Sequence, residues 1–179
     1  MLQKEKAVLV VVDVQGKLAT LMHKKERLFE NVIRMIKGAR ALEIPIIWTE
    51  QLPDKLGPTA PEIVEALGDA KPVVKKTFSC CGHDQFLYRL DSLNRKQVLL
   101  VGIETHVCVY QTAIDMLASG FEVHLVKDAV SSRIKGNYHL GVERIKDAGA
   151  KLTCVEMALF EMLKVAEGEQ FKQIIQIVK

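Results

Sequence analysis

The fold of this protein is decided by the stretch Val98-Leu-Leu-Val-Gly-Ile-Glu-Thr-His-Val-Cys108. Residues 98–101 form an uninterrupted apolar run, which is typical of a parallel strand that is covered on both faces. Gly102 permits an unusual backbone turn, and Thr105 or His106 can begin a helix because apolar residues then recur at helical spacing. The stretch therefore predicts a buried strand, a short turn and a helix that carries a cysteine in its first turn.

Cys108 is the first candidate for chemistry. At a helix N-terminus, free backbone N–H groups and the helix dipole favour a thiolate, and the same N–H groups can hold an oxygen that becomes negative during a reaction. A buried structural cysteine is the alternative, and this stretch alone does not decide between the two. The other cysteines, Cys80, Cys81 and Cys154, show no zinc-site spacing and are expected to be free thiols in a reducing compartment.

Five further apolar segments are predicted as strands, and they alternate with segments of helical periodicity. The predicted strands are 7–12, 45–49, 72–75, 121–126 and 151–154, the predicted helices are 24–42, 61–67, 83–93, 137–148, 155–163 and 169–177, and residues 50–59 are predicted as a loop. This alternation predicts an α/β fold, a three-layer α/β/α sandwich around a six-stranded, mainly parallel sheet. The strand order 3-2-1-4-5-6 would place strands one and four side by side, where such sheets bind ligands.

Length and composition narrow the class of protein. The 179 residues, 49% of them apolar, predict a single domain over residues 1–179 with a substantial core. The net charge is only +3 and the lysines and arginines are scattered, so no nucleic-acid partner is expected. No apolar run approaches the roughly 20 residues of a membrane helix. No secretory segment precedes the first strand, so we expect a cytoplasmic protein, with organellar import left open.

Three side chains are expected at the ends of neighbouring strands: Asp13, Lys75 and Cys108. A free thiol is only slightly ionised at neutral pH, so a nucleophilic cysteine needs a base, and Asp13 can accept its proton. Lys75 would compensate the single negative charge, whether that charge lies on the carboxylate or on the sulfur. The alternatives are that Asp13 only caps the next turn and that Lys75, beside Lys76, is solvated. Neither G-x-G-x-x-G nor G-x-S-x-G is present, which disfavours a nucleotide loop and a serine hydrolase.

Five short segments, taken in order, carry a family resemblance. They are Val11-Val-Asp13-Val-Gln15, Val74-Lys75-Lys-Thr-Phe78-Ser79, Gly102-Ile-Glu-Thr105-His-Val-Cys108-Val, Thr112-Ala-Ile-Asp115 with Gly120-Phe-Glu-Val123, and Asp128-Ala-Val-Ser-Ser132. Through these segments the chain resembles the isochorismatase-like, or cysteine amidohydrolase, family over nearly its full length. The resemblance implies that Asp13, Lys75 and Cys108 are the catalytic triad, with Lys75 preferred to Lys76 because it precedes Phe78 by three residues.

The resemblance also implies a cis peptide bond between Ile103 and Glu104. We predict that this bond directs the backbone N–H of Glu104, together with that of Cys108, at the oxyanion. Nicotinamidases of the family carry an Asp-x-His metal site after strand two, but residues 48–54 contain no histidine, so neither a metal ion nor another cofactor is expected. True isochorismatases lack the cysteine, and therefore isochorismate is not the expected substrate.

Residues 49–59 are most similar to the isochorismatase-domain-containing and YcaC-related branch of the family. The main hypothesis is a metal-independent cysteine hydrolase that cleaves a small-molecule amide or related C–N bond through a thioester. Residues that could contact the substrate are Gln15, Leu18, Trp48, Phe78 and His106, of which Leu18, Trp48 and Phe78 are as well explained by a core role and His106 is the alternative base.

Two other functions are kept open. One is a non-catalytic scaffold for protein association, and the other is a redox-sensing thiol protein that uses Cys80, Cys81 or Cys108. The apolar residues of the last predicted helix suggest a homo-oligomer surface, and packing within the chain is the alternative.

Overall fold

The computed structural model describes residues 1–179, which form six β-strands and nine α-helices. The strands are β1 (Ala7–Val12), β2 (Ile46–Gln51), β3 (Val73–Lys75), β4 (Gln97–Ile103), β5 (Glu122–Ser131) and β6 (Lys151–Thr153). The helices are α1 (Gly16–Thr20), α2 (Lys25–Ala41), α3 (Pro53–Leu56), α4 (Pro61–Leu67), α5 (Asp84–Ser92), α6 (Tyr110–Ala118), α7 (Lys135–Asp147), α8 (Val155–Leu163) and α9 (Gly168–Val178). A 3₁₀ turn at Cys80–Gly82 precedes α5, and a π-helical turn at Thr105–Val109 precedes α6.

The six strands form one parallel sheet in the order β3-β2-β1-β4-β5-β6, which confirms the predicted strand order. Val12 at the end of β1 pairs with Gly102 of β4. A Cβ atom on Gly102, whose φ is +120°, would lie 2.1 Å from the carbonyl oxygen of Val12, so this close approach requires glycine. The order reverses between β1 and β4, and a crevice therefore opens beyond their carboxyl ends.

Helices cover both faces of the sheet, as the continuous apolar strands predict. Alternate residues of β1 point to opposite faces: Leu9 and Val11 pack with α2, α8 and α9, whereas Val8, Val10 and Val12 pack with α5, α6 and α7. The structure is thus the predicted three-layer α/β/α sandwich. No helix combines the length and the apolar composition needed to cross a membrane.

The structure departs from the predicted elements in three places. The predicted loop at residues 50–59 contains the last two residues of β2 and all of α3, and the five residues of α1 were not predicted. β5 runs on to Ser131, past the polar pair Lys127 and Asp128, because the sheet is irregular there: Leu100 pairs with Leu125 but Gly102 pairs with Val130. Short helices and interrupted strands lack the repeated apolar spacing on which the predictions depended.

The last helix packs within the chain. Ile174 of α9 is fully buried in the core that α2 and α8 share, and Ile177 packs against the same core. The structure thus shows packing within the chain, which the sequence analysis gave as the alternative to an oligomer surface on this helix.

Candidate active site

A buried ion pair joins the ends of β1 and β3. The Lys75 Nζ atom lies 2.6 Å from Oδ2 of Asp13, and the two residues are 0% and 4% exposed. The Thr49 hydroxyl donates a hydrogen bond to Oδ1 of Asp13 at 2.6 Å, so both carboxylate oxygens are held. Lys75 also donates to the carbonyl oxygens of Thr77 and Phe78 at 3.0 and 3.2 Å. Both buried charges are therefore compensated, which is the condition for keeping them out of water.

Local backbone structure explains why these two residues meet. Asp13 adopts the left-handed conformation, with φ of +49°, directly after β1, and aspartate tolerates this better than most residues. In β3, Val73 and Lys75 are buried whereas Val74 and the following Lys76 are exposed. Because adjacent strand residues point to opposite faces, only one lysine of the pair can reach Asp13. The structure places Lys75, not Lys76, at this position.

Cys108 lies in the π-helical turn after β4 and borders the same cavity as Asp13. The cavity has a volume of about 110 Å³. Its walls are Asp13, Gln15, Leu18, Gln51, Leu56, Phe78, Ile103, Glu104, Val107 and Cys108. The structure thus brings Asp13 and the candidate nucleophile together, with Lys75 buried behind the carboxylate.

The resting thiol of Cys108 is protonated. Burial, followed by the negative charge of Asp13, raises its pKa to about 12 against the smaller opposing effect of Lys75. The thiolate expected at this helix end is therefore not the resting form, because desolvation and the neighbouring carboxylate outweigh the helix dipole. The resting site contains a carboxylate, an ammonium group and a neutral thiol, which is one of the two charge-balanced states considered from the sequence.

The peptide bond between Ile103 and Glu104 is cis, as the family resemblance implied. Among the hydrogen bonds outside the helices and strands, none has the N–H of Glu104 as its donor. Glu104 and Cys108 both line the cavity, and their N–H groups stay the predicted oxyanion donors. The Glu104 carboxylate is itself held, since Oε1 accepts from the backbone N–H and from Nε of Arg133, both at 3.1 Å.

Gln51 is a site residue that the sequence analysis missed. Its Oε1 accepts a hydrogen bond from Sγ of Cys108 and lies 3.4 Å from that atom and 3.4 Å from Nζ of Lys75. The residue was assigned to a predicted loop, whereas it ends β2 and pairs in register with Lys75. The register of β2 against β3 would have identified Gln51, but a single sequence does not display that register.

Gln15 fixes the backbone around Gln51 rather than offering a free amide to a ligand. Its Oε1 accepts from the N–H of Gln51 at 2.6 Å, and its Nε2 donates to the carbonyl oxygens of Gln51 and Gly57 at 3.0 and 2.7 Å. All its polar atoms are thus engaged within the protein. Gln15 lines the cavity and holds β1, β2 and the following loop together, and its contact with a substrate stays a prediction.

The other predicted substrate contacts divide into two groups. Leu18 and the half-exposed Phe78 line the cavity, as expected. Trp48 does not line it and packs in the core of α2, 5% exposed. His106 does not line it either. Its Nε2 is 3.3 Å from the Asn137 amide nitrogen and its Nδ1 is 2.9 Å from the Ser132 hydroxyl, so both ring nitrogens are occupied away from the thiol.

The adjacent cysteines are not activated thiols. Burial, followed by the charge of Asp13, raises the pKa of Cys80 to about 11, and burial raises that of Cys81 to about 12. Cys80 is fully buried, with its sulfur 3.8 Å from the Thr49 hydroxyl. All four cysteines are free. No group of three or more His, Cys, Asp or Glu side chains is arranged to hold a metal ion.

Comparison with known proteins places this site in a family. The isochorismatase domain model matches residues 7–157. Isochorismatase domain-containing protein 2A of Mus musculus is 37% identical over 176 residues, which cover 98% of this chain and 84% of that protein.

Solved structures agree with this match. The MAR1 ribonuclease of Caenorhabditis elegans superposes with a TM-score of 0.92 at 35% identity, over 99% of this chain and 91% of that one. The YcaC gene product of Escherichia coli, an octameric hydrolase of unknown specificity, shares the fold with a TM-score of 0.92 at 23% identity, over 98% and 88% of the two chains. The chain therefore belongs to the isochorismatase family.

Proposed function

We propose that the protein is a hydrolase that cleaves a small amide or a related C–N bond through a thioester on Cys108, without a metal ion. The observation that carries the proposal is one cavity bordered by the Cys108 sulfur and by a carboxylate whose two oxygens are fixed by Lys75 and Thr49. The shared fold with an octameric hydrolase supports hydrolysis as the reaction class.

In the first half of the reaction, Asp13 accepts the thiol proton as the sulfur attacks the substrate carbonyl carbon. A C–S bond forms, and the carbonyl electron pair moves onto oxygen. The N–H groups of Glu104 and Cys108 stabilise that oxyanion, and Lys75 stays charged beside Asp13 throughout. The positive charge of Lys75 is therefore balanced by one negative charge throughout, first on the Asp13 carboxylate and then on the oxyanion.

In the second half, the tetrahedral intermediate collapses and the C–N bond breaks. Protonated Asp13 gives its proton to the leaving nitrogen, so an amine departs and a thioester remains. Asp13, again a carboxylate, then accepts a proton from water as the water oxygen attacks the thioester carbon. The C–S bond breaks, the sulfur regains a proton from Asp13 and a carboxylic acid is released.

The dimensions of the cavity limit what can react. The volume of this cavity is only about 110 Å³. Leu18, Leu56, Phe78 and Val107 make much of the wall apolar. We therefore expect the reacting part of the substrate to be small and to place an apolar portion against these side chains.

Intact-protein mass spectrometry after acid quenching tests this proposal. The protein is exposed to small amides and, separately, to iodoacetamide. We expect an acyl or carbamidomethyl adduct on the wild type and on Cys154→Ala, and none at this site on Cys108→Ala. Labelling of Cys108→Ala at the wild-type rate would assign the reactive thiol to another cysteine and end the proposal.

A second candidate function is RNA cleavage, which the 35% identity to the C. elegans MAR1 ribonuclease favours. A labelled single-stranded RNA distinguishes the two. Cleavage that is lost in both Cys108→Ala and Asp13→Asn would assign this activity to the same site, and intact RNA would exclude it.

We further propose that the chain is a single-domain, homo-oligomeric and cytoplasmic protein. The octameric YcaC product supports the assembly. Exposed apolar side chains beside the candidate site, such as Leu56 and Phe78, offer surface for such contacts. Light scattering coupled to gel filtration measures the mass directly, and a monomer at micromolar concentration would contradict the assembly.

A further inference from the structure

A second, larger cavity lies at the same edge of the sheet, beyond the end of β5. Its volume is about 570 Å³, within the range of small-molecule sites. Its walls come from β5 and from the first residues of α2, α7 and α8, and they include none of Asp13, Lys75 and Cys108. The cavity is therefore distinct from the candidate active site.

The cavity carries an excess of positive charge. Lys24, Arg27, Lys127 and Lys135 line it, and none of these four cations takes part in a salt bridge. The opposing carboxylates in the wall are those of Asp128 and Glu156. Oδ1 of Asp128 is already engaged, because it accepts from the N–H of Val155 at 3.0 Å. The four cations outnumber these two carboxylates, which leaves the wall with a formal charge of +2 when its histidines are neutral.

The start of α7 adds to this potential, whereas α2 and α8 carry Glu26 and Glu156 in their first turns. Residues at the beginnings of α2, α7 and α8, which run for 17, 13 and 9 residues, form the wall. The first turn of α7 contains no acidic residue, and no side chain caps it. Its free N–H groups and dipole therefore act in the same direction as the neighbouring ammonium and guanidinium groups.

We propose that this cavity binds a small phosphate-bearing molecule. The oxygens of a phosphate can accept hydrogen bonds from the Arg27 guanidinium, from lysine ammonium groups and from the N–H groups of α7 together. The volume exceeds that of a phosphate alone, and Leu28 with the half-buried Tyr138 ring provides apolar wall for an organic part. The Tyr138 hydroxyl is fixed on the carbonyl oxygen of Lys127 at 3.0 Å, so the ring is held in place.

Inorganic pyrophosphate is the probe, and its binding is measured by calorimetry at fixed ionic strength. The variant Arg27→Gln/Lys135→Gln removes two cations from the wall. Lys146→Gln/Lys172→Gln removes two exposed, unpaired cations elsewhere and leaves the same net charge. We expect the control pair to bind like the wild type and the cavity pair to bind at least ~10-fold more weakly, as expected for the loss of 1.4 kcal/mol or more.

Any of four outcomes would overturn the proposal. The first is undetectable pyrophosphate binding by the wild type at millimolar concentration, and the second is equal weakening of binding in both double variants. The third is dissociation of an oligomer by the cavity pair alone, which would make the cavity an interface between copies. Preferential binding of single-stranded RNA over pyrophosphate would also contradict a small-molecule site. Cys108→Ala should bind pyrophosphate normally, so this test stands apart from the proposed hydrolysis.

Discussion

Two oxygen acceptors act on the Cys108 thiol. One is the neutral Oε1 of Gln51, which lies 3.4 Å from the sulfur, and the other is the negative carboxylate of Asp13, which contributes to the raised pKa of the thiol. Such a thiol is unreactive until its proton leaves, and Asp13 is the group placed to take it. The sequence motifs led to Asp13, Lys75 and Cys108 individually. Gln51 was not found because its position depends on the register of β2 against β3, which is a property of the folded sheet.

Asp13→Asn should lower both the rate of amide hydrolysis and the pKa of the Cys108 thiol. Amide hydrolysis should fall about 10²- to 10⁴-fold, because the general base is lost. The pKa of Cys108 should decrease from its value of about 12, because a negative charge that raises it is gone while Lys75 stays. The rate of iodoacetamide labelling against pH reports the thiol pKa. Asp147→Asn, an exposed position that lines neither cavity, serves as the control and should change neither quantity.

Lys75→Met and Lys76→Met form a matched pair of neighbouring substitutions. Lys75→Met leaves the buried Asp13 without its cation and should lower the free energy of unfolding by about 3–5 kcal/mol. Lys76 is exposed and forms no ion pair, so Lys76→Met should change it by less than about 0.5 kcal/mol. Urea unfolding at pH 7 measures both. Equal effects would contradict the assignment of the buried lysine.

At the scale of elements, the core strands agree with the prediction to within one or two residues at most ends, because their apolar runs are continuous. The missed features are α1, α3 and the last part of β5, which are short or interrupted by polar residues. These features border the two cavities. Leu18 of α1 and Leu56 of α3 line the smaller one, and Ser131 of β5 lines the larger. Local pattern thus predicted the scaffold better than the surfaces that border the two cavities.

Gly102→Ala tests the contact between β1 and β4. The added Cβ would lie 2.1 Å from the carbonyl oxygen of Val12, and φ is +120°, so the two strands must move apart. We expect a loss of at least ~2 kcal/mol in the free energy of unfolding. Gly136→Ala in α7, where a Cβ meets nothing within 4 Å, is the control and should be neutral or slightly stabilising. A tolerated Gly102→Ala would show that this approach is not tight.

The β5–β6 edge has an acid-sensitive link. Hydrogen bonds from Lys151 and His124 lower the pKa of Glu122 to about 2, against a partial opposing effect of burial. The stabilisation is therefore present above the ordinary glutamate pKa and is lost as pH falls from about 4.5 towards 2. Glu122→Gln should cost up to ~1 kcal/mol at pH 7, since the pair is partly exposed. Unfolding curves at pH 7 and pH 3 should show this difference shrinking, and a constant difference would contradict the link.

At the scale of the whole molecule, the alternation of strands and helices predicted the layers, and the strand order is the common order of doubly wound sheets. The alternation could not predict the larger cavity, whose cations are widely separated in sequence and meet only when the starts of three helices converge. The same convergence explains why the lysines and arginines look scattered in the sequence although four of them share one wall. A small net charge therefore does not exclude a locally strong field.

The pair formed by Asp13 and Lys75 spans β2 and fastens a marginal strand, because β3 has only three residues and lies at the rim of the sheet. When β3 detaches from the sheet, the Lys75 ammonium group moves away with it and the Asp13 carboxylate loses its ion-pair partner. Mild heat or denaturant should consequently abolish turnover before the protein unfolds globally. Amide hydrogen exchange in β3 should then follow the loss of turnover rather than global unfolding.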